Sequence, residues 1–528
     1  MRIFDRPGRS PVIAGNGMVA TSHPLATATA LDILRRGGNA VDAAIAASAT
    51  LCVVEPHMTG IGGDCFAILA EPDGTLHGLN GSGRAARAAS GAHYRAKFPG
   101  AEKLTGADSV TVPGAVKAWE TLAARFGTLP FDALFADAIR YAEDGYPVHA
   151  RVGWSWAQFA PDMRADEGAR RHALVDGEAP AIGSRHAWPA LAATLRRIAR
   201  EGSPAFYEGA VAAEIASVVQ AGGGLLDEDD LAAVTADWVD PIAAAYGGHD
   251  VHEIPPGGQG ITALILLRLL ERLGASGLAA EGPERRHLEA EAGRIAYSVR
   301  DHLVADPATM AVPVGELLSD RYIDALAGLY DPARRNPSIV LPQIPSASTV
   351  YLTVVDRDRR AVSFINSLYE GFGSKIVTPA SGIVLQNRGS GFSLVEGHPN
   401  EIGPARRPMH TIIPAMTTRG GMPAISFGVM GGGYQPMGHA HVLSNMLDHA
   451  MDPQEALDSP RVFWAADGAL EAESGVPDAV LAGLAERGHA VRRAASPHGA
   501  GQIVVIDRES GFLIGASDGR KDGFAAGW

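Results

Sequence analysis

The sequence predicts an α/β (α+β) protein in which sheets lie between layers of helix, and three observations point that way. The centre of the chain is rich in strand-forming runs, above all Thr349–Asp356 and Ala361–Ser367. The stretches on either side read as helix. The composition, 46% hydrophobic and 20% charged over 528 residues, suits a globular chain with one broad core or two to four ordinary domains.

Taken in order, Ala26–Leu34 and Ala40–Leu51 have helical periodicity, broken at Gly37-Gly38. Cys65–Ala70 and Leu76–Leu79 are short strands around a turn at Asp73-Gly74. The next long stretch, from Pro113 to Arg335, is mainly helical, with alanine-rich amphipathic runs such as Ala190–Ile198 and Ile261–Leu273. Asp331–Ser346, rich in Pro, Arg and Asn, is the linker candidate, and it leads directly into Thr349. Strands are expected from Thr349 to Ser393, a helix over Met437–Met451, and strands again at Gln502–Ile506 and Phe512–Ile514. There is no internal repeat and no low-complexity tract.

Charge and motif content exclude several functions. A net charge of −14 argues against nucleic acid or an anionic membrane as a partner. Arg84, Arg87 and Arg95 are too sparse for a basic stripe, and Arg196, Arg197 and Arg200 form a solvated helix face. Cys52 and Cys65 read as buried free thiols. No apolar leader follows Met1 and no window is long enough to span a bilayer, so a cytoplasmic protein is expected. No cofactor and no metal are expected. His439 and His441 lie two apart on a helix and share no face, and spacing places no third ligand. Gly15-Asn16-Gly17 lacks the rest of a dinucleotide fingerprint, the glycines near 431 lack the Lys-Ser/Thr of a P-loop, and no Gly-x-Ser-x-Gly elbow supports a serine hydrolase. His23 and His57 read as packed or turn-stabilising, and Asp64 divides evenly between a structural and a functional role.

Thr349 stands where a turn-prone loop becomes a strand, and the charged turn Asp356–Arg360 returns the chain as a hairpin. If the Ser348–Thr349 bond breaks, Thr349 bears a hydroxyl and a free α-amine on one residue. That is a nucleophile with its own base, and the amine titrates near ~8, close enough to neutrality to accept a proton. The local sequence by itself favours the plainer reading, an ordinary first residue of a strand.

Motifs along nearly the whole chain resemble those of the γ-glutamyltransferase (γ-glutamyltranspeptidase) family, in the family's order. They are Gly37–Ala44, Glu55–Asp64, Val112–Ala115, Pro255–Gly260, Glu291–Pro307 with Arg294, Tyr297 and Asp306, and Leu317–Ser319. After Thr349 come Phe372–Ser374, Ser381–Asn387, Arg407–Met409, Met430–Gly432 and Ala516–Asp518. The resemblance implies an N-terminal-nucleophile hydrolase with an αββα sandwich, two stacked sheets between helix layers. It places the nucleophile on Thr349 and cleavage between Ser348 and Thr349. The products are a large subunit, 1–348, and a small subunit, 349–528, in one intertwined catalytic body. It implies that Gly431 and Gly432 form the oxyanion hole, where glycine N–H groups approach the intermediate unobstructed. Ser367 falls where the family has a threonine hydrogen-bonded to the nucleophile.

The substrate clamp departs from the family. Tyr369 stands for its Asn, Arg388 for its Gln, Gly391 for its Asp and His410-Thr411 for its Ser pair, while Arg84 falls near its substrate arginine. Loss of the acid removes the partner of a substrate ammonium, and Arg388 adds a fork suited to a carboxylate. The expected site is more cationic. The expected activity is that of a self-processing amidohydrolase acting through a Thr349 acyl-enzyme on γ-glutamyl compounds such as glutathione or on a small carboxylate-bearing amide. One alternative is an oxamate-like or glutaryl amide hydrolase without γ-glutamyl activity. A second is an unprocessed, catalytically silent binding protein. Expected partners are a small-molecule amide and the chain's own cleaved fragment.

Overall fold

Ser348–Val355 and Ala361–Tyr369 pair antiparallel as the expected hairpin, and a sheet grows outward from both of its edges. The computed structural model describes residues 8–342 and 348–528. The hairpin turn is fixed by one carboxylate. Asp356 accepts from the backbone N–H groups of Asp358 and Arg360 at 3.0 Å each, and from Ala40 N–H at 3.0 Å. The last of these ties the turn to the start of a neighbouring helix.

In the hairpin's sheet the strand order is Phe524–Gly527, Met18–Thr21, Ser348–Val355, Ala361–Tyr369, Asp64–Ala70, Leu76–Gly81, Asp237–Val239. The second sheet runs Val12–Ala14, Leu513–Ser517, Ala500–Ile506, Met422–Met430, Ala415–Arg419, His249–Glu253, Ile242–Tyr246. All neighbours in both are antiparallel. The sheets stack face to face through the hairpin. Thr353 donates to Ser426 at 2.7 Å, and a Cβ on Gly428 would sit 2.4 Å from the Tyr351 ring, so only glycine lets the faces close there.

Helices cover both outer faces. Ala40–Val54 is buried all round, as an apolar helix without a polar face must be, and packs on the hairpin's sheet with Pro24–Arg35. Gly260–Arg272, Pro283–Leu303 and Gln435–Leu447 cover the other sheet. Two apolar cores result, one around each helix layer. The architecture is therefore the expected sandwich of two sheets between helices. Among the described residues no helix is long and apolar enough to cross a membrane.

The structure corrects three expectations. The mainly helical stretch 113–335 also carries five strands among the described residues, the short pair Tyr146–Pro147 and Arg185–His186 and then Asp237–Val239, Ile242–Tyr246 and His249–Glu253. Strands do not continue to Ser393, because beyond Tyr369 the chain forms turns joined by isolated bridges such as Val377 to Val384. The strands Ala415–Arg419 and Met422–Met430 were not anticipated. The linker Asp331–Ser346 has no regular helix or strand through Pro342, and its remaining residues lie outside those described.

Asp356 holds three backbone donors in a nearly buried position. Asp356→Ala should therefore lower the unfolding free energy by ~1–3 kcal/mol, seen as a lower urea midpoint at unchanged slope.

Candidate functional site

The register of the hairpin slips between Ser348 and Val350, which pair with Tyr369 and Asn366, so Ser367 and Leu368 bulge opposite Thr349. The bulge is closed by the Ser367 hydroxyl, which accepts from Tyr369 N–H at 2.9 Å, and Tyr369 itself has φ of +81°. An aromatic residue in that region is strained, and the strain falls beside Thr349. Thr349 Oγ1 donates to Ser367 Oγ at 3.1 Å. Arg388 Nη2 donates to the same oxygen at 3.1 Å, and Nη1 donates to Thr411 Oγ1 at 3.0 Å. The guanidinium lies 4.5 Å from the centre of the Tyr369 ring. Thr349, Ser367, Arg388 and Thr411 are each completely buried.

Behind the guanidinium lies Asp64. Its Oδ2 is 3.8 Å from Arg388 Nε and 3.1 Å from His410 Nε2. Its Oδ1 accepts from Gly83 N–H, Gly114 N–H and Gln386 Nε2 at 3.0, 3.1 and 3.0 Å. Burial lowers the Arg388 guanidinium to about 10, an effect that Asp64 opposes, so it stays charged at neutral pH. Burial, aided by the Arg388 charge, lowers the His410 imidazole to about 3, so the ring is neutral. With Nδ1 accepting from Ile412 N–H at 3.4 Å, the His410 proton sits on Nε2 and points at Asp64.

Gly431 and Gly432 follow the strand Met422–Met430 at φ of +127° and +58°. Their carbonyls turn inward: Gly431 O accepts from Tyr434 N–H at 3.0 Å and Gly432 O from Gln259 Nε2 at 2.8 Å. No acceptor among the described residues takes their N–H groups.

Thr349, Ser367, Tyr369, Arg388 and Thr411 are thus brought together, and Ser348 leads into them on the same strand. Of the two other expected clamp residues, Arg84 lies outside this cluster, and His410 lies within it but is turned to Asp64. Arg84 is half-exposed, donates to Ala405 O at 3.0 Å and stands 3.8 Å from Asp237, because Gly83 N–H is pinned on Asp64 and the next side chain leaves outward. His410 uses both ring nitrogens within the protein, so it offers a ligand none. Nor is the site more cationic, since Asp64 stands against Arg388. Sequence reading left Asp64 undecided and passed over Gln259. Each is a side chain whose partners lie far along the chain.

The remaining candidates have local roles. His23 Nδ1 accepts from Leu25 N–H and caps a helix, and the His57 carbonyl accepts from Phe372 N–H. His439 Nδ1 is 2.7 Å from Glu253, whereas His441 contacts Arg286 and Asn445, so the two serve separate networks. Cys52 and Cys65 are buried free thiols.

The sequence profile of the gamma-glutamyltranspeptidase family matches residues 26–528. The chain belongs to that family. Its similarity extends to the glutathione hydrolase-like YwrD proenzyme of Bacillus subtilis, at 37% identity over 98% of this chain and 99% of that one. The oxamate amidohydrolase proenzyme of Klebsiella pneumoniae is 34% identical over 98% and 99%. Among solved structures, a cephalosporin acylase from Bacillus halodurans superposes with a TM-score of 0.92 at 38% identity, covering 100% of this chain and 99% of that one. A γ-glutamyltranspeptidase-family chain with proenzyme relatives across its length is a self-processing amidohydrolase of the N-terminal-nucleophile class. The relatives' names do not agree on a substrate.

Buried neutral histidines give this family member a definite acid response. His186 is lowered to about 4 and His410 and His439 to about 3, each by burial first. The unfolded chain binds their protons near ~6.5 and the folded chain does not, so their contribution is complete above that pH and is lost as pH falls toward 3 to 4. Buried carboxylates such as Glu55 and Glu253, held above their usual range by burial, act in the opposite sense, so the test is a difference: between pH 7.5 and 4.5 the stability of wild type should fall relative to that of His410→Gln in urea unfolding.

Proposed function

We propose that Thr349 is the nucleophile, that the chain cuts its own Ser348–Thr349 bond, and that the mature enzyme hydrolyses amides whose acyl part bears a carboxylate. The observation behind the reading is the 3.1 Å hydrogen bond from Thr349 Oγ1 to a Ser367 hydroxyl that Arg388 and the Tyr369 N–H also hold.

In the precursor the Thr349 hydroxyl attacks the Ser348 carbonyl. The C–N bond breaks, leaving an ester on Thr349 Oγ1 and a free α-amine. Water then hydrolyses the ester, which frees the Ser348 carboxylate and restores the hydroxyl. In turnover the α-amine takes the hydroxyl proton as oxygen attacks the substrate carbonyl, and returns it to the departing amine. The Gly431 and Gly432 N–H groups, without an acceptor among the described residues, suit the oxyanion. Losing such a donor typically costs about 10²–10³ in rate.

Arg388 is the group suited to the acyl carboxylate. Of the about five N–H bonds a guanidinium has, Thr411 and Ser367 take two and Nε faces Asp64, which leaves one N–H on each Nη for a fork on an anion. A substrate ammonium has no comparable partner. Asp64 is occupied on both oxygens, and Glu370 is held by Lys103 at 3.0 Å and Asn387 at 2.9 Å. The reading therefore favours oxamate-like or glutaryl amides over γ-glutamyl compounds, with water as acceptor. The relative named as an oxamate amidohydrolase agrees with this, and the one named glutathione hydrolase-like keeps γ-glutamyl amides in the test. The fragments 1–348 and 349–528 would stay together, since each sheet takes strands from both sides of the cleaved bond.

Intact mass should resolve the wild type into two chains with Thr349 as the new N-terminus, whereas Thr349→Ala should remain one chain of 55.0 kDa. A Thr349→Ala protein that still splits there would falsify the assignment. On the mature enzyme, Arg388→Lys keeps the charge and loses the fork. It should raise KM for oxamate and glutaryl amides about tenfold or more, as expected for ~1.5–3 kcal/mol in a hydrogen bond to a charged group. An unchanged KM would remove Arg388 from substrate recognition.

A further inference from the structure

The two sides of the site meet in one buried amide. Gln259 follows the loop Pro255–Gly258 and immediately precedes the helix Gly260–Arg272, with no exposed surface. Its side-chain Nε2 donates to Thr411 O at 2.7 Å and to Gly432 O at 2.8 Å. Its Oε1 accepts from Arg300 Nη1 at 3.0 Å, and its backbone N–H donates to His410 O at 2.9 Å. The amide orientation is dictated by its partners. A guanidinium has no acceptor and a carbonyl has no donor, so Oε1 must face Arg300 and both N–H bonds must face the carbonyls.

We infer that Gln259, oriented by Arg300, is a positioning residue that sets the Gly431–Gly432 N–H donors relative to the Thr349 hydroxyl. Gly432 O is fixed on one Gln259 N–H and Thr411 O on the other. Thr411 Oγ1 holds Arg388, Arg388 holds Ser367, and Ser367 takes the Thr349 hydroxyl. Gln435 makes a parallel link, its backbone N–H donating to Gly432 O and its Oε1 accepting from Ile413 N–H at 3.0 Å, but the contacts that run on to Arg388 and Ser367 start from Thr411, which Gln259 ties directly to Gly432 O. Displacements of about 1 Å in such an arrangement are worth about 10² in rate. The inference rests on the proposed function, with Thr349 as the nucleophile served by the two glycines, and assigns Gln259 no contact with substrate.

Gln259→Glu preserves shape, pairs with Arg300 and turns two donors into acceptors facing carbonyls. Gln259→Met preserves length and removes all three hydrogen bonds. Thr349→Ala is run beside them. Self-cleavage is followed by intact mass, and kcat and KM are measured on the processed fraction with the best amide from an oxamate, glutaryl and γ-glutamyl panel. The expected result is self-cleavage slowed at least tenfold and kcat lowered about a hundredfold with KM within threefold. Wild-type kcat and processing in either variant overturn the inference, as does a rise in KM at constant kcat, which would make Gln259 a binding residue. If both variants fail to fold, as judged by thermal unfolding, the amide is a stability element and the inference is likewise overturned. Failure of the underlying reading is separable, because it appears as continued cleavage in Thr349→Ala whatever the Gln259 variants do.

Discussion

A charged guanidinium without solvent contact is the constraint around which this site is arranged. Removing an ion from water costs several kcal/mol even after relaxation, and Arg388 has to recover that from its neighbours. Two hydroxyls accept from it, Tyr369 lies over its face, and Asp64 supplies the counter-charge. Asp64 is equally buried and equally costly, and it is satisfied by two backbone N–H groups, an amide and a neutral imidazole. The side chains at 369, 388, 410 and 411 therefore form one coupled set. An arginine at 388 needs a ring beside it, a hydroxyl at 411 and a proton donor on Asp64, and His410 is that donor.

The same constraint joins the site to the fold. Asp64 begins the strand that pairs with the Thr349 hairpin, so the counter-charge and the bulge at Ser367 are set by one register, Ser367 opposite Asp64. Slipping that register by one residue would move Asp64 to the other face of the sheet. The second sheet brings the two glycines from the opposite side, where Gly428 lets it approach Tyr351 two residues beyond Thr349. The Thr349 hydroxyl is held by Ser367 of its own hairpin, and the second sheet packs against that hairpin through Thr353 and Ser426.

What was legible in the sequence was local. The hairpin, the helices at 24–52 and the strands at 65–79 follow from periodicity and turn residues a few positions apart. Ile242–Tyr246 was missed because Ile-Ala-Ala-Ala-Tyr has helical propensity, which pairing with His249–Glu253 at a sheet edge overrides. The apolar residues between 376 and 385 suggested strands. Val377, Ile383, Val384 and Leu385 are buried, but the chain around them bends through Gly373 and Gly382 at φ of +52° and +69° and forms only bridges. At the site, alignment to a family places residues without giving the direction of their side chains. Arg84 and His410 were misjudged for that reason, and Asp64 and Gln259 were undervalued because their partners lie 19 to 346 residues away.

On the proposed reading, the charge balance decides what kind of selectivity this enzyme has. Arg388 and Asp64 together are neutral, so the pocket offers oriented N–H groups more than a long-range attraction. Discrimination then depends on which substrate groups find partners once water is excluded. An extra or missing methylene in the acyl chain is worth only about 10–200-fold, whereas an unpaired polar group in a closed site is rejected by as much as 10⁴–10⁵. Loss of the ammonium partner should therefore separate this chain from γ-glutamyl substrates more sharply than pocket length separates one dicarboxylic half-amide from another. On that reading, a buried arginine at 388 balanced by Asp64, together with glycine at 391, would set the class of acyl group through hydrogen-bond complementarity while the fold stays the same.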